Sequence, residues 1–219
     1  MRNSGGGKKR IVILCEGDTE VNAVEYFIRP QWNKDGLSEI GIRGIKLLGK
    51  INNIFNIVPN YAKEGETKAI FTLIDLYGTK DKKLIYAKYD EVSRKVEKLK
   101  EWLKNQYDES VLVKFHPHVS VHETEAWFLA DEKALSDVLK TKIKQFPNPE
   151  QLDFLEHPSK RINILFNKYL KRRYIKGGLT GDDRKMFEKM SLEETAKRCP
   201  YLKAFYEDLQ KVGRQILLS

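Results

Sequence analysis

Carboxylates stand at three places where an apolar run gives way to a loop. Glu16 lies in Cys15-Glu16-Gly17-Asp18-Thr19-Glu20, directly after Ile11 to Leu14. Asp75 closes Ala69-Ile70-Phe71-Thr72-Leu73-Ile74. Glu123 and Glu125 lie in His122-Glu123-Thr124-Glu125, after Val111-Leu112-Val113 and Val119-Ser120-Val121. In an α/β sheet the ends of strands face the crevice where such folds bind ligands. Carboxylates converging there repel one another unless a hard cation holds them, and Mg²⁺ (or Mn²⁺) takes such oxygen ligands. A divalent ion beside a basic surface points to phosphodiester chemistry. Glu16, Asp75, Glu123 and Glu125 are therefore the expected metal ligands and catalytic carboxylates.

Each of these residues also has a plainer reading. Glu16 can bond backbone amides at a helix start without any metal. Glu20 falls in the first helical turn, where a capping or dipole role is expected of it. Asp75 can form an Asx-type turn before Gly78. Tyr77 shares the parity of Asp75 and either faces the same crevice or packs. Gly17 supplies a tight turn, and His122 lines the third loop. His116, His118 and His122 share strand parity, so zinc is the lesser metal alternative. Trp127 and Phe128 read as core or lid.

Phosphate chemistry needs cations. Lys and Arg outnumber Asp and Glu 40 to 31, which gives a net charge of +9 and a pI near 9.3. Such an excess favours anionic partners, nucleic acid above all. The excess is concentrated in Ser159 to Lys176. On a helical wheel Lys160, Arg161, Lys168, Lys171 and Arg172 share one side, while Ile162, Leu165, Phe166 and Tyr169 hold the other. Arg173 and Lys176 lie beyond. A solvated helix face is the usual alternative, but no Asp or Glu interrupts the row, which suits contact with phosphates. Lys160 and Arg161 are expected to meet the substrate phosphate or the developing charge; Lys80 to Lys83 can add to the surface.

The elements that must position these groups alternate along the first two-thirds of the chain. Arg10 to Cys15 is a continuous β-branched run, as in a strand covered on both faces. A helix is expected from Thr19 to about Arg29, ended by Pro30. Ile45 to Leu48 reads as a short strand, and Ile51, Ile54, Phe55 and Val58 form one face of a helix. Lys68 to Asp75 is the second strong strand, Asp90 to Lys104 a helix, and Ser110 to Phe115 the next strand. This order implies an α/β fold with a mostly parallel sheet flanked by helices. After Asp131 nothing reads as a strand. Glu132 to Lys140, a segment from Ser159, Asp182 to Arg198, and Tyr201 to Val212 read as helices. The expected organisation is a flexible tail over 1–9, an α/β core over 10–131, and an all-helical region over 132–219 packed on it.

A hydrophobic fraction of 41% argues against disorder. Cys15 and Cys199 form no CxxC pair or disulfide framework, which suits a reducing cytoplasm. No apolar run approaches a membrane span, and the Gly-rich, basic start lacks the apolar stretch of a signal peptide.

Taken together these motifs resemble a TOPRIM-like family, the domain of unknown function 4276, related to the TOPRIM part of overcoming-lysogenisation-defect nucleases. The matching residues are Glu16-Gly17-Asp18-Thr19-Glu20, Asp75-Leu76-Tyr77-Gly78, His122 to Ala126, Pro158 to Arg161, and Cys199-Pro200. The resemblance implies a TOPRIM core, divalent-metal chemistry on DNA or RNA, and association with an ATPase in anti-phage defence. The usual Asp-x-Asp of TOPRIM proteins is Asp75-x-Tyr77 here, and Glu123 and Glu125 are the expected replacements. The expected function is a Mg²⁺-dependent nuclease. Its rival is a non-catalytic nucleic-acid-binding or regulatory subunit, with phosphoryl or nucleotidyl transfer as a third reading. No Walker A motif is present, so any ATPase belongs to another chain.

Overall fold

The computed structural model describes residues 8–47, 51–76, 91–142, 148–150 and 157–219. Its centre is a parallel sheet of five strands among the described residues: β1 (Arg10–Cys15), β2 (Gly41–Lys46), β3 (Thr67–Asp75), β4 (Phe115–His116) and β5 (Val119–Ser120). The order is β2-β1-β3-β4, with β5 also paired to β3. Alternate residues of the two apolar runs feed two separate cores. Ile11, Ile13, Cys15, Ala69, Phe71 and Leu73 face one side; Val12, Leu14, Ile70 and Ile74 face the other. Both faces are covered, which is why these strands are apolar throughout instead of alternating.

The first face is roofed by α1 (Asp18–Ala23), α2 (Arg29–Lys34), the 3₁₀ turn Thr124–Leu129, α8 (Asp182–Phe187) and α10 (Pro200–Leu218). The second is roofed by α3 (Ile54–Lys63) and α4 (Val92–Lys104). The remaining helices are α5 (Glu109–Leu112), α6 (Asp137–Lys140), α7 (Pro158–Leu165) and α9 (Leu192–Ala196). None among the described residues is long and apolar enough to cross a membrane.

Several expected boundaries move, each for a physical reason. Ser110 to Leu112 is not strand but part of α5, because Asp108 caps a helical turn there by accepting the Val111 amide at 3.2 Å. Pro30 does not end the first helix. A π-helical turn, Val24–Ile28, precedes it, and the Arg29 amide bonds back to the Val24 carbonyl. That wider turn lets a residue without an N–H enter α2 near its start. Glu132 to Lys140 is interrupted, as a 3₁₀ turn (Glu132–Ala134) gives way to an extended Leu135 before α6. Asp182 to Arg198 is likewise two short helices, α8 and α9, the second capped by Ser191. Leu48, Asp90, Tyr77 and Lys80 to Lys83 lie outside the described residues.

The parallel arrangement sets the position of the site. In register Cys15 pairs with Leu73, and Asp75 pairs with Ser120. The carboxyl ends of β1, β3 and β5, with Glu16, Asp75 and the His122 to Glu125 loop, therefore lie along one edge of the sheet.

Candidate functional site

Glu16 leaves β1 half-buried, and its Oε2 accepts the backbone amide of Asp75 at 3.1 Å. This bond is the plain reading of Glu16 in part, but the amide belongs to the neighbouring strand, so it ties the two acidic strand ends together. Glu20 is 2% exposed. Its Oε2 accepts the Gly17 amide at 2.7 Å, the capping role expected of it, and its Oε1 accepts the Thr124 hydroxyl at 3.0 Å. It thereby clamps the start of α1 to the third acidic loop. Burial raises its carboxyl above the ordinary range, against the opposing pull of Lys176. Glu16, Glu20, Asp75 and Lys176 share the lining of one cleft of about 370 Å³, with Asp18 and Lys46 paired at 2.6 Å on its wall.

The third loop turns sharply at His122, which has a φ of 68° and is buried. Glu123 then caps α7, its Oε2 accepting the Ser159 amide at 2.8 Å. Glu125 has no exposed surface, and its Oε1 meets the Lys176 ammonium at 2.9 Å. Its Oε2 has no hydrogen-bond partner among the described residues. Lys176 keeps 43% of its side-chain surface in solvent while its ammonium lies against a carboxylate that has none. Burial would lower the ammonium pKa, but Glu125, Glu123 and Asp75 outweigh it and hold the lysine protonated. Burial also dominates at Glu125, whose carboxyl is pushed up to about 7 despite Lys176.

A raised carboxyl pKa contributes stability that is full below the unfolded value and is lost as pH rises through the folded one. For Glu125 that window runs from about 4.5 to about 7. Glu125→Gln, which cannot ionise, should gain on the parent by about 2 kcal/mol between pH 5 and 7 in paired thermal or urea unfolding curves. A difference that stays flat across the window would show that Glu125 titrates as an ordinary carboxylate.

The expected cationic row is dispersed by the fold. The helix ends at Leu170, through a π-helical turn Phe166–Leu170, and Lys171 takes a left-handed conformation with φ 56°. Only Lys160, Arg161 and Lys168 of the five wheel positions are on it. Arg172 turns away, forks onto Asp182 at 2.6 and 2.8 Å and lies 4.9 Å over the Phe166 ring. Lys176 turns into the acidic cleft. Absence of acidic neighbours in sequence did not mean absence in space. Lys160, Arg161, Lys168 and Lys171 remain exposed.

The expected zinc trio is not assembled. His116 and His118 both face Asp208 of α10, at 3.2 and 3.0 Å, and stack on Phe71, while His122 lies in its own turn. Among the described residues no three His, Cys, Asp or Glu side chains are placed to hold a metal ion. That disfavours an all-protein cage. Glu16 and Asp75 are tied at adjacent strand ends and open on one cleft. Sequence reading missed the inward turn of Lys176, the Asp208 partner, and Asp183. The signal available is Gly177-Gly178-Leu179-Thr180-Gly181-Asp182-Asp183, a glycine-rich strap followed by two acids.

A family model described as a domain of unknown function (DUF4276) matches residues 15–210, which takes in Glu16, Asp75, Glu123, Glu125 and Lys176. No curated protein and no solved structure matches the chain.

Proposed function

The chain belongs to the DUF4276 family, and we propose that its acidic cleft is the active site of a divalent-metal-dependent nuclease with TOPRIM-like ancestry. The observation that carries this reading is the Glu16–Asp75 tie at adjacent strand ends, opening on a cleft that also holds a fixed lysine ammonium. Glu16 and Asp75 would hold Mg²⁺ or Mn²⁺, which supplies an activated water and stabilises the leaving oxygen. Glu20 fixes the angle at which α1 leaves the site. Glu125 holds Lys176, whose positive charge faces the space where a phosphate must enter. Glu123 orients the start of α7, and so the exposed Lys160 and Arg161 that follow it. The substrate is DNA or RNA, and a partner ATPase in anti-phage defence belongs to the same reading.

The deciding experiment is cleavage of plasmid, single-stranded DNA and RNA with Mg²⁺, Mn²⁺ or chelator, with and without the partner ATPase. Metal-dependent cleavage supports the proposal; a chain inert on all three substrates in every combination overturns it. One observation favours a second reading. Lys176 already neutralises Glu125, so the cleft has its own cation. A non-catalytic, nucleic-acid-binding subunit of an ATPase complex would need no more. That reading predicts binding without cleavage.

Either reading needs a cationic track, and its revised members are Lys160, Lys168 and Lys171. Their joint replacement by Glu should weaken binding of all sequences alike. It should also flatten the plot of log affinity against log salt by up to about 0.9 per lost duplex phosphate contact. Arg172 is left out because its loss would unpair buried Asp182. Unchanged binding at low and moderate salt would reduce these lysines to a solvated surface.

A further inference from the structure

Lys176 reaches Glu125 from a segment without regular structure, so its aim depends on what holds the backbone around it. The amide before it, that of Ile175, donates to Asp182 Oδ2 at 2.9 Å. The amide after it, that of Gly177, donates to Asp183 Oδ2 at 3.0 Å. The two acceptors are consecutive residues at the start of α8, and they are 5% and 0% exposed. Each is itself fixed. Asp182 is forked by Arg172 at 2.6 and 2.8 Å. Asp183 accepts Asn22 Nδ2 at 3.1 Å, and the same Asn22 amide reaches the Gly178 carbonyl at 3.1 Å.

The glycines of the strap make this approach possible. Gly177 has a φ of +76°, and a Cβ there would stand 2.6 Å from the Cβ of Asp18. A Cβ on Gly181 would stand 2.0 Å from Asp183 Oδ1. Backbone lies where a side chain would otherwise have to be, and both carboxylates grip it closely.

We propose that Asp182 and Asp183 are positioning residues which pin the amides on either side of Lys176, so that its ammonium stands fixed in the acidic cleft as a built-in cation for the incoming phosphodiester. The positioning stands on geometry alone; the phosphodiester rests on the nuclease reading. A cation held in place beforehand needs no reorganisation when negative charge arrives, which is the condition under which fixed charges assist a reaction most.

The test is site-resolved amine labelling of the folded, metal-free full chain by reductive methylation, with exposed Lys171 as internal reference. In the parent, Lys176, held against buried Glu125 at 2.9 Å, should label more slowly than exposed Lys171 by about tenfold. Asp183→Ala should bring Lys176 close to the Lys171 rate. Asp183→Asn, which keeps an acceptor for the Gly177 amide, should retain the parent's protection. Arg172→Gln loosens Asp182 from the surface side and decides the matter if Asp183→Ala does not fold. Where the parent cleaves nucleic acid, Asp183→Ala should lower kcat with little change in KM, and Asp183→Asn should restore it. Equal Lys176 labelling in the parent and in whichever of Asp183→Ala and Arg172→Gln folds would overturn the proposal. A parent that labels as expected but never cleaves would sink the nuclease reading alone and leave the positioning intact.

Discussion

Asp75→Asn should lower metal-dependent cleavage by at least about a hundredfold, the scale on which losing one charge-stabilising group is felt, while the fold survives. Asn fills the same volume at the end of β3, and its backbone amide still reaches Glu16. Removing the charge takes one of the two carboxylates from the pair that faces the cleft. The protein should therefore bind Mn²⁺ more weakly, a change that titration can read without any turnover. In the metal-free state the substitution relieves repulsion from Glu16 and gives up attraction to Lys176, so stability should change little. Parent-level cleavage by Asp75→Asn, in a preparation free of contaminating nuclease, would remove Asp75 from the mechanism.

The largest effect on stability is expected at a residue with no part in the site. Glu150 has no exposed surface and accepts three donors: the Trp127 indole N–H at 3.1 Å, the Tyr201 amide at 2.7 Å and the Leu202 amide at 3.2 Å. The two amides belong to the start of α10, whose Cys199 entry offers no capping side chain. A carboxylate 50 residues upstream does that work instead. Burial raises its carboxyl to about 7, yet removing it takes the acceptor from three donors, two of them buried and the Tyr201 amide partly so. Glu150→Ala should cost about 3–5 kcal/mol, which for a chain of this size lowers Tm by roughly 10 °C or more. Glu150→Gln should fall between, because its amide nitrogen cannot accept the Tyr201 N–H. A loss below about 1 kcal/mol would mean that water replaces the carboxylate at the helix start.

What was legible beforehand follows from range of interaction. Buried parallel strands announce themselves because both faces must be apolar, so β1 and β3 were visible as runs, and Glu16 and Asp75 as their ends. The helical stripe of α4 was visible for the same local reason. The strand expected at Ser110 failed because Asp108, two residues earlier, offered its carboxylate to the turn, and a cap outweighs the short apolar run Val111-Leu112-Val113. The cationic row failed differently. A helical wheel assumes that the helix continues, and this one stops at Leu170, after which Arg172 turns to Asp182 and Lys176 to Glu125. Lys176, Asp183 and Glu150 act across the chain, with partners at Glu125, Asn22 and Tyr201. No window of sequence contains such pairs, and only the fold brings them together.

The placement of α10 has a bearing on how the molecule comes to be made. Leu202, Phe205, Leu209 and Ile216 of that helix complete the core that also holds Ile11, Ile13 and Phe71, and Gly213 lies so near Trp32 that a Cβ there would be 2.2 Å from its ring. Synthesis runs from the other end. Every strand that α10 covers leaves the ribosome before it does, so the part of this apolar face that α10 closes stays open until nearly the whole described chain has emerged. During that interval the nascent protein presents a surface that a holding chaperone would recognise and that neighbouring chains could pair with. Slowed translation late in the message should therefore cost more yield through aggregation than the same delay placed early.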